Sequence, residues 1–334
     1  MRVPSGCNKL RLAKALAPIA AVMALAAALA GAPSPALADN YPSRPITIVL
    51  GFAPGSMIDY VGRAVANDLS TSLGQPVLIE TRQGGGGVLA STYVAKQPAD
   101  GYTLLMSAVG PAVLRPLMDK TVTFDLDRDY VPIILLGEAP NVLVANPKLG
   151  LKSVKDLVAY ANAHGGKISI GHSGPGTLGQ LATLLFAAEA GLDVASVSYR
   201  GTGPMMIDVL GGAIDAGFPA YNPATKEASI LAVTSERRVD FLPDVPTMTE
   251  SGFDLVGGTW EAIFGPANLP PEIVAKIHDA IEAFLRKPET RQRFNETGFQ
   301  VMGGPPARLV EKIMQDRAKW AKIIQDAKIG ADDK

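Results

Sequence analysis

Short apolar runs alternate with amphipathic stretches along most of this chain, and the joints between them are rich in glycine. Pro45 opens the run Ile46–Leu50, which is too continuously apolar for a surface strand and suits a covered sheet. It ends at Gly51-Phe52-Ala53-Pro54-Gly55-Ser56. From Asp59 to Leu73, Val61, Val65 and Leu69 fall on one helical face, and Gly74 stops the pattern. Val77–Ile79 is a second short strand. Four glycines, Gly84–Gly87, lead into a helix over 88–96, and Tyr102–Met106 is a third strand. This order of strand, loop, helix and strand predicts a parallel sheet with helices on both faces.

A second unit of the same style begins near Asn141. Val142–Ala145 is a strand, and Ser153 caps a helix over 154–163. The strand 167–171 runs into His172-Ser173-Gly174-Pro175-Gly176-Thr177, and a helix over 178–190 follows directly. Val194–Tyr199 is a strand, 204–211 a helix, and 213–218 and 230–234 are further strands. After Gly257-Gly258 the chain changes character. One strand-like piece, Trp260–Phe264, precedes three amphipathic helices near 271–285, 288–297 and 306–327. On the last of these, Lys312, Lys319 and Lys322 with Glu311 and Asp316 read as a solvated face.

The first 38 residues carry a different signal. Lys9, Arg11 and Lys14 precede an alanine-dominated apolar run from Ala15 to Ala32, and Ala36-Leu37-Ala38 offers a small-residue cleavage site. That is the order of a secretory signal peptide, with a mature start at Asp39. The run is broken by Pro18 and is weak for a spanning helix, which needs roughly 20 strongly apolar residues. The leader holds four of the 31 basic residues and none of the 32 acidic ones. The remainder is therefore net acidic, which gives no basic surface for nucleic acid or for a membrane. The single cysteine, Cys7, leaves with the leader, so no disulfide is needed in an oxidising compartment. The length that remains suits two domains better than one.

Three loops share a chemical character: Pro54 to Asp59, Gly84 to Gly87, and Ser173 to Thr177. Each follows a strand and precedes a helix. Glycines there let backbone N–H groups face a ligand, and a helix N-terminus favours an anion. Such turns also serve simply as tight connections. None matches the dinucleotide or P-loop fingerprints, and Ser173 is not in a nucleophile elbow. The three histidines lack metal-site spacing. His164 and His278 read as helix-surface residues, while His172 stands at the mouth of the third loop. Asp59 is either a helix cap or a group that selects a polar part of a ligand. No catalytic constellation, metal site or cofactor is called for.

At this point the chain resembles the extracytoplasmic solute-binding receptors of tripartite tricarboxylate transporters, the Bug proteins. The resemblance runs through Tyr41-Pro42-Ser43-Arg44-Pro45-Ile46, the Pro54-Gly55 loop to Asp59, Glu80 to Gly87 and Asp100-Gly101-Tyr102-Thr103-Leu104. It continues through 153–157, 174–181, Tyr199-Arg200-Gly201-Thr202, 208–212, 232–235, Leu242 to Thr247 and Gly303-Gly304. It implies an α/β, two-domain periplasmic binding protein of type II, a Venus flytrap with a cleft between domains. Domain 1 would comprise 39–140 plus 256–334, and domain 2 would comprise 141–255. It implies no catalysis, a monomer in the periplasm, a small organic acid as ligand and a membrane permease as partner. The other classes left open are a secreted enzyme acting on a phosphorylated or thioester substrate, and a sensing module without a transporter.

On that resemblance the ligand's carboxylate is expected among Ser56, Ser173 and Thr177, with backbone donors from Gly55, Gly174 and Gly176. Met57, Ile58, Pro175 and Tyr221 would shape a less polar part, with Asp59 orienting the first loop and His172 at the border. Two departures matter. Met57 and Ile58 replace polar residues usual in the first loop, and Pro175 stands where the third loop usually has Asn. Proline offers no N–H. The segment 218–229 is also shorter than the usual stretch with its helical turn, so the rim of domain 2 is expected to be shortened. A less polar pocket points to a bulkier or more aromatic acid than citrate, or to loss of the usual ligand.

Overall fold

Two mixed sheets, covered by helices, are what these runs build. The computed structural model describes residues 41–329; the leader and its cleavage site lie outside them. The first sheet holds β1 (Ile46–Leu50), β2 (Val77–Thr81), β3 (Thr103–Ala108), β4 (Tyr130–Pro140), β10 (Gly258–Pro266) and β11 (Gln300–Val301). Their order is β11-β4-β10-β3-β1-β2. The second holds β5 (Val142–Ala145), β6 (Lys167–His172), β7 (Asp193–Ser198), β8 (Ala216–Gly217) and β9 (Ser229–Val233), in the order β7-β6-β8-β5-β9. Both sheets belong to one compact unit that begins at Pro42.

The parallel sheets expected from the sequence are only partly realised. β1 pairs in parallel with β2 and β3, and β6 with β7 and β8. The pairings of β10 with β3 and β4, of β11 with β4, and of β5 with β8 and β9 are antiparallel. The physical reason is that β4, β5 and β10 are joined by crossovers between sheets, without the helical return that makes a neighbour parallel. β4 is the longest strand, and its centre, Ile133–Leu136, is fully buried.

The helices position the loops that precede them. They are α1 (Met57–Ser72), α2 (Val88–Val94), α3 (Val154–Ala163), α4 (Leu178–Ala190), α5 (Thr202–Gly211), α6 (Pro271–Arg286), α7 (Pro288–Glu296) and α8 (Pro306–Asp326). Among the described residues, none is long and apolar enough to cross a membrane. α6 and α8 pack on β4, so the C-terminal helices cover the first sheet. Trp260 of β10 is fully buried and its Nε1 donates to Asp316 Oδ2 of α8 at 2.6 Å. Lys312 bridges Asp316 and Glu138 at 3.2 and 3.4 Å. The face of α8 expected to be solvated is therefore partly buried. A tryptophan from 56 residues upstream covers it, which local periodicity does not reveal.

The chain passes between the sheets twice, at Asn141 and over 234–257. The two crossovers are tied together. Thr234 Oγ1 accepts from Asn141 N–H at 3.0 Å and lies 2.5 Å from the Gly257 carbonyl. Thr259 Oγ1 donates to Asn141 Oδ1 at 2.7 Å. The short region 218–229 contains a helical turn, Pro223–Glu227. Asn222 and Thr225 cap it reciprocally, so a short segment suffices.

Candidate functional site

Two helix starts with the same local design meet between the sheets. Ser56 caps α1: its hydroxyl accepts from Asp59 N–H at 3.4 Å and donates to the Ala53 carbonyl at 3.0 Å. Thr177 caps α4 in the same way, accepting from Gln180 N–H at 3.3 Å and donating to the Gly174 carbonyl at 2.7 Å. The first N–H groups of a helix have no intrahelical acceptor. Here these belong to Met57 and Ile58 in α1, and to Leu178 and Gly179 in α4. All four residues line one cavity, together with both caps and with Thr202 at the start of α5. Helix N-termini carry partial positive charge, so this convergence favours an anion.

Phe52, Ala108, Gly110 and Pro111 give the cavity an apolar wall from the first sheet's loops. Ser173, Ala220, Asn141, Thr259 and Glu261 complete it. The enclosed space is about 40 Å³, against roughly 300–1,000 Å³ for sites that hold drug-sized ligands. Loops from the two sheets are in direct contact around it. Ala53 N–H donates to the Arg200 carbonyl at 3.0 Å. A Cβ on Gly86 would lie 1.9 Å from the Pro175 carbonyl oxygen, and one on Gly203 would lie 2.6 Å from that of Pro54. The cleft is closed in this conformation.

Of the residues expected at a site, Ser56, Met57, Ile58, Ser173 and Thr177 are brought to this cavity. The others have different places. Gly55 N–H donates to Asp59 Oδ2 at 3.2 Å, and Asp59 Oδ1 accepts from Arg63 Nε at 2.9 Å. Asp59 thus braces the first loop, and with Gly55 it faces an outer groove lined by Arg63, Arg293, Asn222 and Pro223. Gly176 N–H donates to Gln180 Oε1 at 2.7 Å, so this backbone donor is already engaged. Gly174 and Pro175 form contacts between the loops, against Gly86. His172 Nδ1 lies 2.9 Å from the Gly174 carbonyl and steadies the third loop from within. Burial pushes the His172 ring down to about 4, against a weaker opposing pull from that carbonyl, so it is neutral at pH 7.

Tyr221 lies apart from the cavity. It is fully buried beneath the second sheet, with its ring 4.7 Å from that of Phe241 and against Gly298. The sequence did not single out Asn141, Thr202, Thr259 or Glu261. For Glu261 a signal existed: one acid stands inside the otherwise apolar run Trp260–Phe264. It is 1 % exposed, its Oε2 has no hydrogen-bond partner, and burial pushes its carboxyl well above the ordinary glutamate value. Among the described residues, no group of three His, Cys, Asp or Glu side chains could hold a metal ion.

The two capping hydroxyls are spent on the backbone, which sets an expectation for mutation. Thr177→Val removes the cap of α4 and is expected to destabilise by about 1 kcal/mol. Thermal unfolding should show a midpoint lowered by roughly 2–4 °C.

Comparison with known proteins sharpens this reading. Residues 61–329 match the family model of the tripartite tricarboxylate transporter family receptor. This chain belongs to that family. Among relatives of the receptor family, the protein BugT of Bordetella pertussis is 33% identical over 313 residues, covering 92% of this chain and 96% of BugT. A solved Rhodopseudomonas palustris protein with adipate superposes with a TM-score of 0.83 at 32% identity, over 87% of this chain and 99% of that one. MatC of Rhodopseudomonas palustris, with bound malate, gives 0.80 at 28% identity, over 85% and 100%. The periplasmic binding protein BugD gives 0.82 at 29%, over 87% and 99%. The receptor fold of the family is thus the two-sheet α/β architecture described above.

Proposed function

We propose that this receptor works in the periplasm, closes on a small organic acid and delivers it to a membrane permease of the tripartite tricarboxylate type. The observation that carries the reading is the convergence of the α1 and α4 N-termini on one cavity between the sheets. N–H groups at two helix starts can satisfy a desolvated carboxylate without a fixed cation. The leader over 1–38 supplies export. The solved relatives with adipate and malate supply the ligand class. The protein acts as a monomer that binds its solute unchanged and catalyses nothing. Domain 1 spans 39–140 and 256–334, and domain 2 spans 141–255. The two move about the crossovers tied by Asn141, Thr234 and Gly257.

Ser173 and the free N–H groups of Met57, Ile58, Leu178 and Gly179 contact the carboxylate. Phe52, Met57, Ile58 and Pro111 hold the carbon skeleton, which favours an aliphatic or aromatic acid over one rich in hydroxyls. Titration calorimetry with succinate, adipate and benzoate, each beside its methyl ester, tests this. At least one free acid is expected to bind at micromolar Kd or tighter, with its fully methylated ester at least about 100-fold weaker, since that ester carries no charge to place on the helix ends. Equal binding of acid and ester would overturn the carboxylate site.

A further inference from the structure

Glu261 sits in the middle of β10, opposite Ala108 of β3 and Gly137 of β4. It is the only ionisable side chain among the residues that line the cavity. Its Oε2 is buried and unpartnered. Leaving a carboxyl unpaired in a sheet interior opposes folding, and an apolar residue would pack there without that cost. Its neighbours Trp260, Ala262, Ile263 and Phe264 follow the apolar rule. Folding therefore does not account for the carboxyl, and the cavity it borders does.

Among the described residues Glu261 has no charged partner. Arg63 pairs with Asp59 on α1, Arg115 pairs with Asp119 on the helical turn after β3, and Lys312 pairs with Glu138 of β4 and Asp316 of α8. On β6, His172 is neutral and turned to the Gly174 carbonyl. On α5, Asp208 accepts from Tyr199 Oη. In this conformation Oε2 of Glu261 is buried without a hydrogen-bond partner.

We infer that Glu261 fixes the solute from the floor of the cleft, as a neutral acid that donates one hydrogen bond to the bound carboxylate. The inference rests on the carboxylate reading given above. It makes Glu261 a specificity-determining residue, with the helix N–H groups on one side of the anion and the acid O–H on the other. Burial of Glu261 in the closed form already favours the protonated state. In the open form water reaches the carboxyl, which is then ionised at neutral pH. Closure on an acid consequently transfers one proton from solvent to Glu261. Over the range in which the solute stays ionised, affinity is strongest at the lowest pH. It falls as pH rises above the open-state value, by about tenfold per unit, until the closed-state value is reached.

The test is calorimetry at pH 7 in two buffers of different ionisation heat, on wild type and Glu261→Gln. The probes are the three acids named above, with 6-aminohexanoate as the ammonium-ended counterpart of adipate. Wild type is expected to take up close to one proton per acid bound. Glu261→Gln keeps an N–H donor of the same shape without the cost of taking up a proton, so at pH 7 it should bind at least as tightly as wild type, with no proton uptake and no fall in affinity from pH 6 to 8. Binding without uptake in wild type overturns this inference and leaves the receptor reading standing. Uptake that persists in Glu261→Gln overturns it too, because another group then takes the proton. Preference for 6-aminohexanoate over adipate, lost in the variant, overturns it in favour of an ionised Glu261 that grips a cation. Failure of every acid to bind overturns the receptor reading and this inference with it.

Discussion

Gly86→Ala is expected to weaken solute binding by at least about 100-fold, or roughly 2.7 kcal/mol, while leaving both sheets folded. Gly86 has φ of 64°, and a Cβ there would lie 1.9 Å from the Pro175 carbonyl oxygen across the cleft. That contact is with backbone, so no side chain can swing aside. The clash exists only when the loops meet. In an open cleft the substitution costs only the strain of a left-handed alanine, about 1–2 kcal/mol. A ligand shifts a two-state equilibrium only by its differential affinity, so a wedge against the closed state is subtracted directly from binding. Calorimetry reads the affinity, and small-angle scattering reads the shape. The variant should keep the open radius of gyration at saturating acid. Gly201→Ala repeats the test from the other side, since its Cβ would lie 2.9 Å from Ala53 N. Wild-type affinity in both variants would mean that closure is not needed for binding.

Trp260→Ala should be the most damaging single change to stability, at about 3–5 kcal/mol. The indole is fully buried between β4, β3 and α8, in the cluster that holds Phe264, Leu309, Ile313 and Trp320. Its loss leaves a cavity there. It also removes the 2.6 Å hydrogen bond to Asp316, whose carboxylate then rests on Lys312 alone. Thermal unfolding should fall by roughly 10 °C, and the denaturant midpoint should fall with an unchanged slope. By contrast, Leu78 is 54% exposed, and Leu78→Ala should shift stability by no more than about 0.5 kcal/mol. If Trp260→Ala behaved like Leu78→Ala, α8 would not be anchored to the first sheet.

Local pattern revealed the strands whose burial is continuous. Ile46–Leu50 and Val142–Ala145 were legible because a covered strand is apolar at nearly every position. β4 was not, because Pro132, Gly137 and Pro140 punctuate it as a loop would. Strand direction was not legible either, since a buried antiparallel strand and a buried parallel one carry the same residues. At the site, Ser56 and Thr177 were legible as hydroxyls in glycine loops before helices, but they read as ligand donors and Asp59 as a cap, whereas Ser56 and Thr177 are the N-caps. What they do with their hydroxyls was not visible. Whether Ser56 points at a ligand or at the Ala53 carbonyl depends on loop geometry alone. Asn141 and Thr259 were hidden for another reason. They lie 118 positions apart, and only the double crossover joins them. Tyr221 was placed at the pocket through the family resemblance of its segment, but Phe241 and Gly298 come from distant segments to bury it.

The central claim is that two helix N-termini hold an organic acid in a cleft that closes over it. A crystal structure with the tightest-binding acid of the panel tests it most directly. The account predicts a carboxylate within hydrogen-bond distance of N–H groups from both α1 and α4, with Glu261 on its far side and the Gly86 to Pro175 contact in place. A carboxylate bound elsewhere, such as the outer groove of Arg63 and Arg293, or held by one helix alone with the cleft open, would contradict it.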